Sequence, residues 1–137
     1  MLKLIAMETL PIKVSLQQFH LEHELWLNEL SFYRDELKTL DKFLLKVASA
    51  NTGIEVMKHV EHFQNQFIRE KEVLDELSHE IREEKDLVFN RVKELSAEAL
   101  EHEKFDDHAA LRDKMDTYKK IYSELKSDFM KFLSKTL

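Results

Sequence analysis

Cysteine is absent from this 137-residue chain, and glycine and proline occur once each, as Gly53 and Pro11. The lack of cysteine excludes disulfides, thiolate metal sites and cysteine nucleophiles, and it suits a reducing compartment. A sheet of several strands needs turn residues roughly every eight to twelve positions, and a phosphate-cradling loop needs several glycines. Neither is available. No apolar run reaches the roughly eighteen residues of a membrane span, and the apolar stretch 1–7 is too short for the core of a signal peptide. Basic residues are in the minority, 21 Lys and Arg against 27 Asp and Glu, so the formal charge is −6 and the chain repels polyanions. A cytoplasmic protein is expected, with no nucleic-acid partner and no membrane span.

What remains is 35% charged and 43% hydrophobic, a composition that fits helices. Around Val14-Ser15-Leu16-Gln17-Gln18-Phe19 the sequence carries a capping box, Ser15 with Gln18, flanked by a hydrophobic staple of Val14 and Phe19. A second box, Thr52 with Glu55, follows the stop at Asn51-Thr52-Gly53. A softer boundary lies in 99–107, where Asp106 or Asp107 offers an N-cap. These signals predict helices over about 15–49, 54–97 and 107–133, in a single domain spanning 15–137 after an N-terminal strap, 1–14.

Steps of three and four dominate the first helix, through Leu16, Phe19, His23, Trp26, Leu30, Tyr33, Leu37, Leu40, Leu44 and Val47. Helix two repeats every seventh residue from Val60 to Leu95, and helix three continues from His108 through Leu111 and Met115 to Phe132. That period, with short connections, predicts an all-α, elongated antiparallel three-helix (up-down-up) bundle with coiled-coil-like heptad packing.

Polar residues interrupt the seams, and those interruptions are the candidate chemistry. Folding the first connection about residue 51 or 52 puts His20 and His23 level with Glu80 and Glu84, with Glu24 nearby. Folding the second about 101 or 102 brings Tyr118 and Tyr122 to the same height. Imidazole and carboxylate donors converging from several helices suit a divalent transition metal such as Fe, Mn, Zn or Cu. The candidate ligands are His20, His23, Glu24, Glu80 and Glu84, with Tyr118 and Tyr122 as supporting phenols. The alternative is a hydrogen-bonded polar layer that fixes helix register. A second histidine pair, His59 and His62, is read as surface, and His102 and His108 receive no catalytic role. His108 is expected near a helix N-terminus, where the macrodipole disfavours imidazolium. Glu70 is expected to meet Arg34 and Tyr33, and Arg91 to meet Asp113 or Asp116.

Ferritin-like carboxylate bundles carry paired Glu-x-x-His elements. This chain has one, Glu76-Leu77-Ser78-His79, and it lacks the histidines four residues apart of hemerythrin-like bundles, so neither family is assigned.

Apolar residues also fall outside the seams: Leu21, Leu25 and Phe32 on helix one, Ile68 and Phe89 on helix two. A row of this kind needs a cover, either the N-terminal strap with Leu2, Leu4, Ile5, Leu10 and Ile12 or another chain, and for a narrow three-helix rod self-association is the favoured one. No serine has an activating base or oxyanion donors beside it. The sequence therefore points to a non-enzymatic structural or protein-interaction module, a homo-oligomer or the partner of another helical protein. A metal-binding helical bundle with a His/Glu site between helices is the second reading.

Overall fold

The computed structural model describes residues 13–51 and 53–137. The strap expected over 1–14 thus lies almost wholly outside the described residues, and so does Thr52 of the second capping box. Helices account for nearly all of the described chain. In order, the elements are β1 (Lys13–Ser15), α1 (Leu16–Ala50), α2 (Ile54–Lys93), α3 (Ala97–His102), β2 (Lys104–Asp106) and α4 (Ala109–Thr136).

Each boundary has a local cause. The Ser15 side chain accepts from the Gln18 amide while Gln18 reaches back to the Ser15 amide, so the capping box opens α1. No breaker interrupts the 35 residues that follow. Asn51 then turns extended, and its side-chain amide donates to the Val47 carbonyl. Extended Gly53 precedes α2, which is one continuous helix of 40 residues, about 60 Å at 1.5 Å per residue. The charge-rich stretch 82–86 does not break it.

Four residues before its expected end α2 stops, and the Glu94 and Leu95 amides donate to the Arg91 and Val92 carbonyls, respectively. The connection is not a simple loop. Ser96 caps α3, accepting from the Ala99 amide at 3.1 Å, and β2 then returns to pair antiparallel with β1, Val14 opposite Phe105. His108 rather than the expected Asp107 stands at the start of α4 and makes no side-chain cap bond, and the side chain of Asp106, the other expected cap, lies outside the described residues. Asp107 is engaged by Arg112 instead.

One apolar cluster joins all three long helices, including Leu30, Leu44 and Val47 from α1, Phe67, Leu74 and Ile81 from α2, and Met115, Tyr118 and Phe129 from α4. Burying each large member contributes about 1.5–3 kcal/mol. The buried residues of α1 all belong to the three-four series, because that spacing keeps one stripe of a 3.6-residue helix pointed inward. A smaller cluster, Phe19 and Phe105 with Leu16, Val88 and Val92 against them, plugs the end where the connection crosses.

Contacts between α1 and α2 run in opposite senses: His23 meets Glu84, Glu24 meets Lys85 and Arg34 meets Asp75. Those between α1 and α4 run in the same sense, Glu22 with Arg112, Glu29 with Lys119 and Glu36 with Lys126. Between α2 and α4, Glu80 meets Lys114 and Phe63 meets Phe129, so this fold-back is centred near residue 96 or 97. Expectation placed it at 101 or 102. The connection travels across the end of the hairpin, and α4 slides by about ten residues relative to the expected alignment. That displacement decides which polar residues meet.

Candidate functional site

At the end of the molecule crossed by the connection, three helices each contribute to one polar layer. His23 projects from α1, Glu84 from α2, and His108 from the start of α4. His23 Nε2 lies 2.8 Å from Glu84 Oε1, and His108 Nδ1 contacts the same oxygen. The other nitrogen of His108, Nε2, lies 3.2 Å from Glu22 Oε1. Arg112 holds Glu22 through several N–H donors at 2.8–3.2 Å and Asp107 at 2.7 and 2.8 Å. The chain of contacts is therefore His23, Glu84, His108, Glu22, Arg112, Asp107.

Both histidines are almost wholly buried, His23 at 1% exposure and His108 at 7%. The His108 ring lies between Phe19 and Trp26, with centroids 4.2 and 4.5 Å away. Carboxylates at both nitrogens favour its charged form. Burial alone pushes the His108 pKa down, but the hydrogen bonds to Glu84 and Glu22, and then their charges, raise it above the ordinary 6.5. Burial likewise opposes ionisation of Glu84. The hydrogen bonds with His108 and His23 and the nearby imidazole charge outweigh it and bring the carboxyl down to about 2. The Arg112 hydrogen bond, despite some burial, lowers Asp107. The helix dipole at the start of α4 was expected to disfavour imidazolium at His108; two carboxylates in direct contact are the stronger influence.

Two sets of donor atoms lie within 4.8 Å of one another: His23, Glu84 and His108, and Glu22, Asp107 and His108. In the second, Glu22 and Asp107 already hold the Arg112 guanidinium, which supplies the cation. Among the described residues, no lysine or arginine pairs with Glu84. A cavity of about 460 Å³ lined by Glu84, Asp107 and His108 opens on one side, and another of about 420 Å³ lined by His20 and His23 opens on the other.

Of the five ligands expected from sequence, His23 and Glu84 meet and the other three do not join them. His20 is exposed and lines the 420 Å³ cavity without joining the layer. Glu24 pairs with Lys85 at 2.7 Å, and Glu80 with Lys114 at 2.9 Å. Tyr118 and Tyr122 sit deeper in the apolar core, donating to the Glu70 carbonyl at 3.3 Å and to Glu36 at 2.6 Å. The slide of α4 takes both phenols away from the layer and puts His108 in their place.

Other expected partners change too. Arg34 pairs with Asp75, which leaves Glu70 Oε2 buried without a hydrogen-bond partner. Arg91 pairs with Glu103 of the connection rather than with α4. His59 and His62 are exposed, the former packed against the Phe132 ring. Leu21, Leu25 and Phe32 are 57%, 49% and 60% exposed. Ile68 and Phe89 are comparably exposed but line separate grooves, Ile68 with Arg34 and Lys38, Phe89 with His20 and Lys85.

Glu22 and Arg112 were not singled out from sequence, and Asp107 only as a helix cap, although a signal for the first two was present. Glu22, Glu29 and Glu36 recur every seven residues on α1, and Arg112, Lys119 and Lys126 recur every seven on α4. Two matched rows of opposite charge define the alignment of those helices. Comparison with protein-family models, curated proteins and solved structures returns no match.

Proposed function

We propose that this chain is a non-enzymatic helical-bundle module, a three-helix up-down-up rod with coiled-coil-like seams, that associates with a second copy of itself. The carrying observation is the outward row Leu21, Leu25 and Phe32 on α1, each about half exposed or more. Three large apolar side chains one to two turns apart on one helix face lose contact with water only against another surface. Phe43 extends the row at 37% exposure.

A second copy is the fitting cover because the same stripe offers itself to a two-fold mate, helix against helix, without a new complementary surface. The non-enzymatic reading rests on how the reactive groups are spent. The buried serine, Ser78, donates to the Leu74 carbonyl, and the layer's imidazoles and carboxylates face one another. In a cytoplasmic setting such a module serves as a scaffold or adaptor among helical partners.

Sedimentation equilibrium across micromolar concentrations tests the reading. A dimer is expected. Monomer alone over that range removes self-association.

A further inference from the structure

We propose that His23, Glu84 and His108 form a binding site for one divalent first-row transition metal ion. This goes beyond the module reading: it assigns a ligand to the polar layer, whereas the oligomeric state depends on the outer face of α1.

The donor set is two imidazole nitrogens and one carboxylate oxygen, delivered by three helices to one place. Their ligand atoms lie within 4.8 Å of one another. Around an ion with ligands at about 2.0–2.1 Å, neighbouring donors stand roughly 3.0–3.4 Å apart. His23 Nε2 and Glu84 Oε1, at 2.8 Å, need to part by only a few tenths of an ångström. Both histidines direct a nitrogen at the same carboxylate oxygen, so an ion seated among the three atoms replaces two hydrogen bonds with three coordinate bonds and releases the two imidazole protons that made them to solvent. Imidazole donors select Zn, Cu, Ni or Fe over the oxygen-seeking Mg and Ca.

The surroundings add a second, independent argument. Nδ1 of His108 faces the site while its Nε2 faces Glu22, and Glu22 is gripped by Arg112. A histidine that binds metal through one nitrogen characteristically donates its other N–H to a carboxylate, which fixes the ring and raises its basicity. The neighbouring set of Glu22, Asp107 and His108 lacks this vacancy, since Arg112 is its cation. Among the described residues no lysine or arginine holds Glu84, whose partners are the two imidazoles themselves, and the cavity of about 460 Å³ beside it gives an ion a path from solvent and room for water at the remaining position.

The test uses the full chain without an affinity tag, stripped with chelator and titrated with Co²⁺ followed by Zn²⁺. One Co²⁺ per chain is expected, with visible ligand-field absorption that Zn²⁺ abolishes, and Zn²⁺ should raise Tm. His108→Gln and Glu84→Gln should each weaken binding by about 100-fold or more, and Glu22→Gln by about 10–100-fold. A variant with both His59→Gln and His62→Gln should bind as the parent does. Substoichiometric uptake by the parent chain overturns the proposal, as does binding lost in the His59/His62 variant and kept in Glu84→Gln. Should His108→Gln lose its helical circular dichroism, the parent stoichiometry and Glu84→Gln decide the matter.

Discussion

Glu84 and His108 titrate in opposite directions, and the signs set a pH window for the metal-free protein. Glu84 is lowered from 4.5 to about 2, so its stabilising contribution is complete above 4.5 and is lost as pH falls toward 2. His108 is raised from 6.5, so its contribution is complete below 6.5 and is lost as pH rises through its folded value. The layer should therefore stabilise most between 4.5 and 6.5. Urea midpoints measured against pH in the presence of chelator, parent minus the Glu84→Gln/His108→Gln variant, should peak in that interval. A difference that rises steadily through pH 8 would contradict the assigned contacts. Glu70 behaves in the opposite way to Glu84. Burial raises its pKa from 4.5, only slightly opposed by Arg69, and one oxygen lacks a partner. Glu70→Met should stabilise the fold at neutral pH by about 1 kcal/mol. That gain should fade below pH 4.5, where the parent side chain is neutral in both states. Thermal melts at pH 7 and pH 4 compare the two.

Among the elements, the connection between α2 and α4 has more influence on the site than its length suggests. It spans residues 94–108, with the six-residue α3 and the strand β2 inside it. Pairing of β2 with β1 ties it to the start of α1, and buried Phe105 packs on Phe19 with centroids 5.4 Å apart. Phe19 in turn touches the His108 ring, so the plug also supports the layer. Phe105→Ala should cost about 3–5 kcal/mol if the whole domain unfolds as one unit. Hydrogen exchange should then show faster opening of residues 94–108 than of the α1 and α2 midsections. Equal acceleration everywhere would mean that the connection is not a separately anchored element. The existence of long helices was legible from the capping box and the unbroken seam. The connection was not, because a three-residue pairing and a six-residue helix leave almost no periodic signal.

For the whole molecule, the decisive surface is the one that α2 and α4 leave uncovered on α1. Leu25→Glu and Phe32→Glu place charge on that row without touching the core. Each should shift the dimer expected in sedimentation to monomer while changing Tm by no more than a few degrees. A large loss of Tm in the monomeric range would instead mean that the row packs within the chain. The amino-acid sequence by itself determined the helical class, the break near residue 51, the existence of a second break, which it placed at about 97 rather than after Lys93, the inward stripes, and the pairing of His23 with Glu84. Those follow from local propensity and from a hairpin with a short connection, where register is fixed by counting. Only the tertiary structure decided that His108 completes the layer, that Tyr118 and Tyr122 lie elsewhere, and that Ile68 and Phe89 line different grooves. The reason is geometric. A connection of fifteen residues can fold back at many places, and each residue of difference moves the facing helix by two positions. Non-local packing, through Phe105 on Phe19 and Arg112 on Glu22, selects one of them.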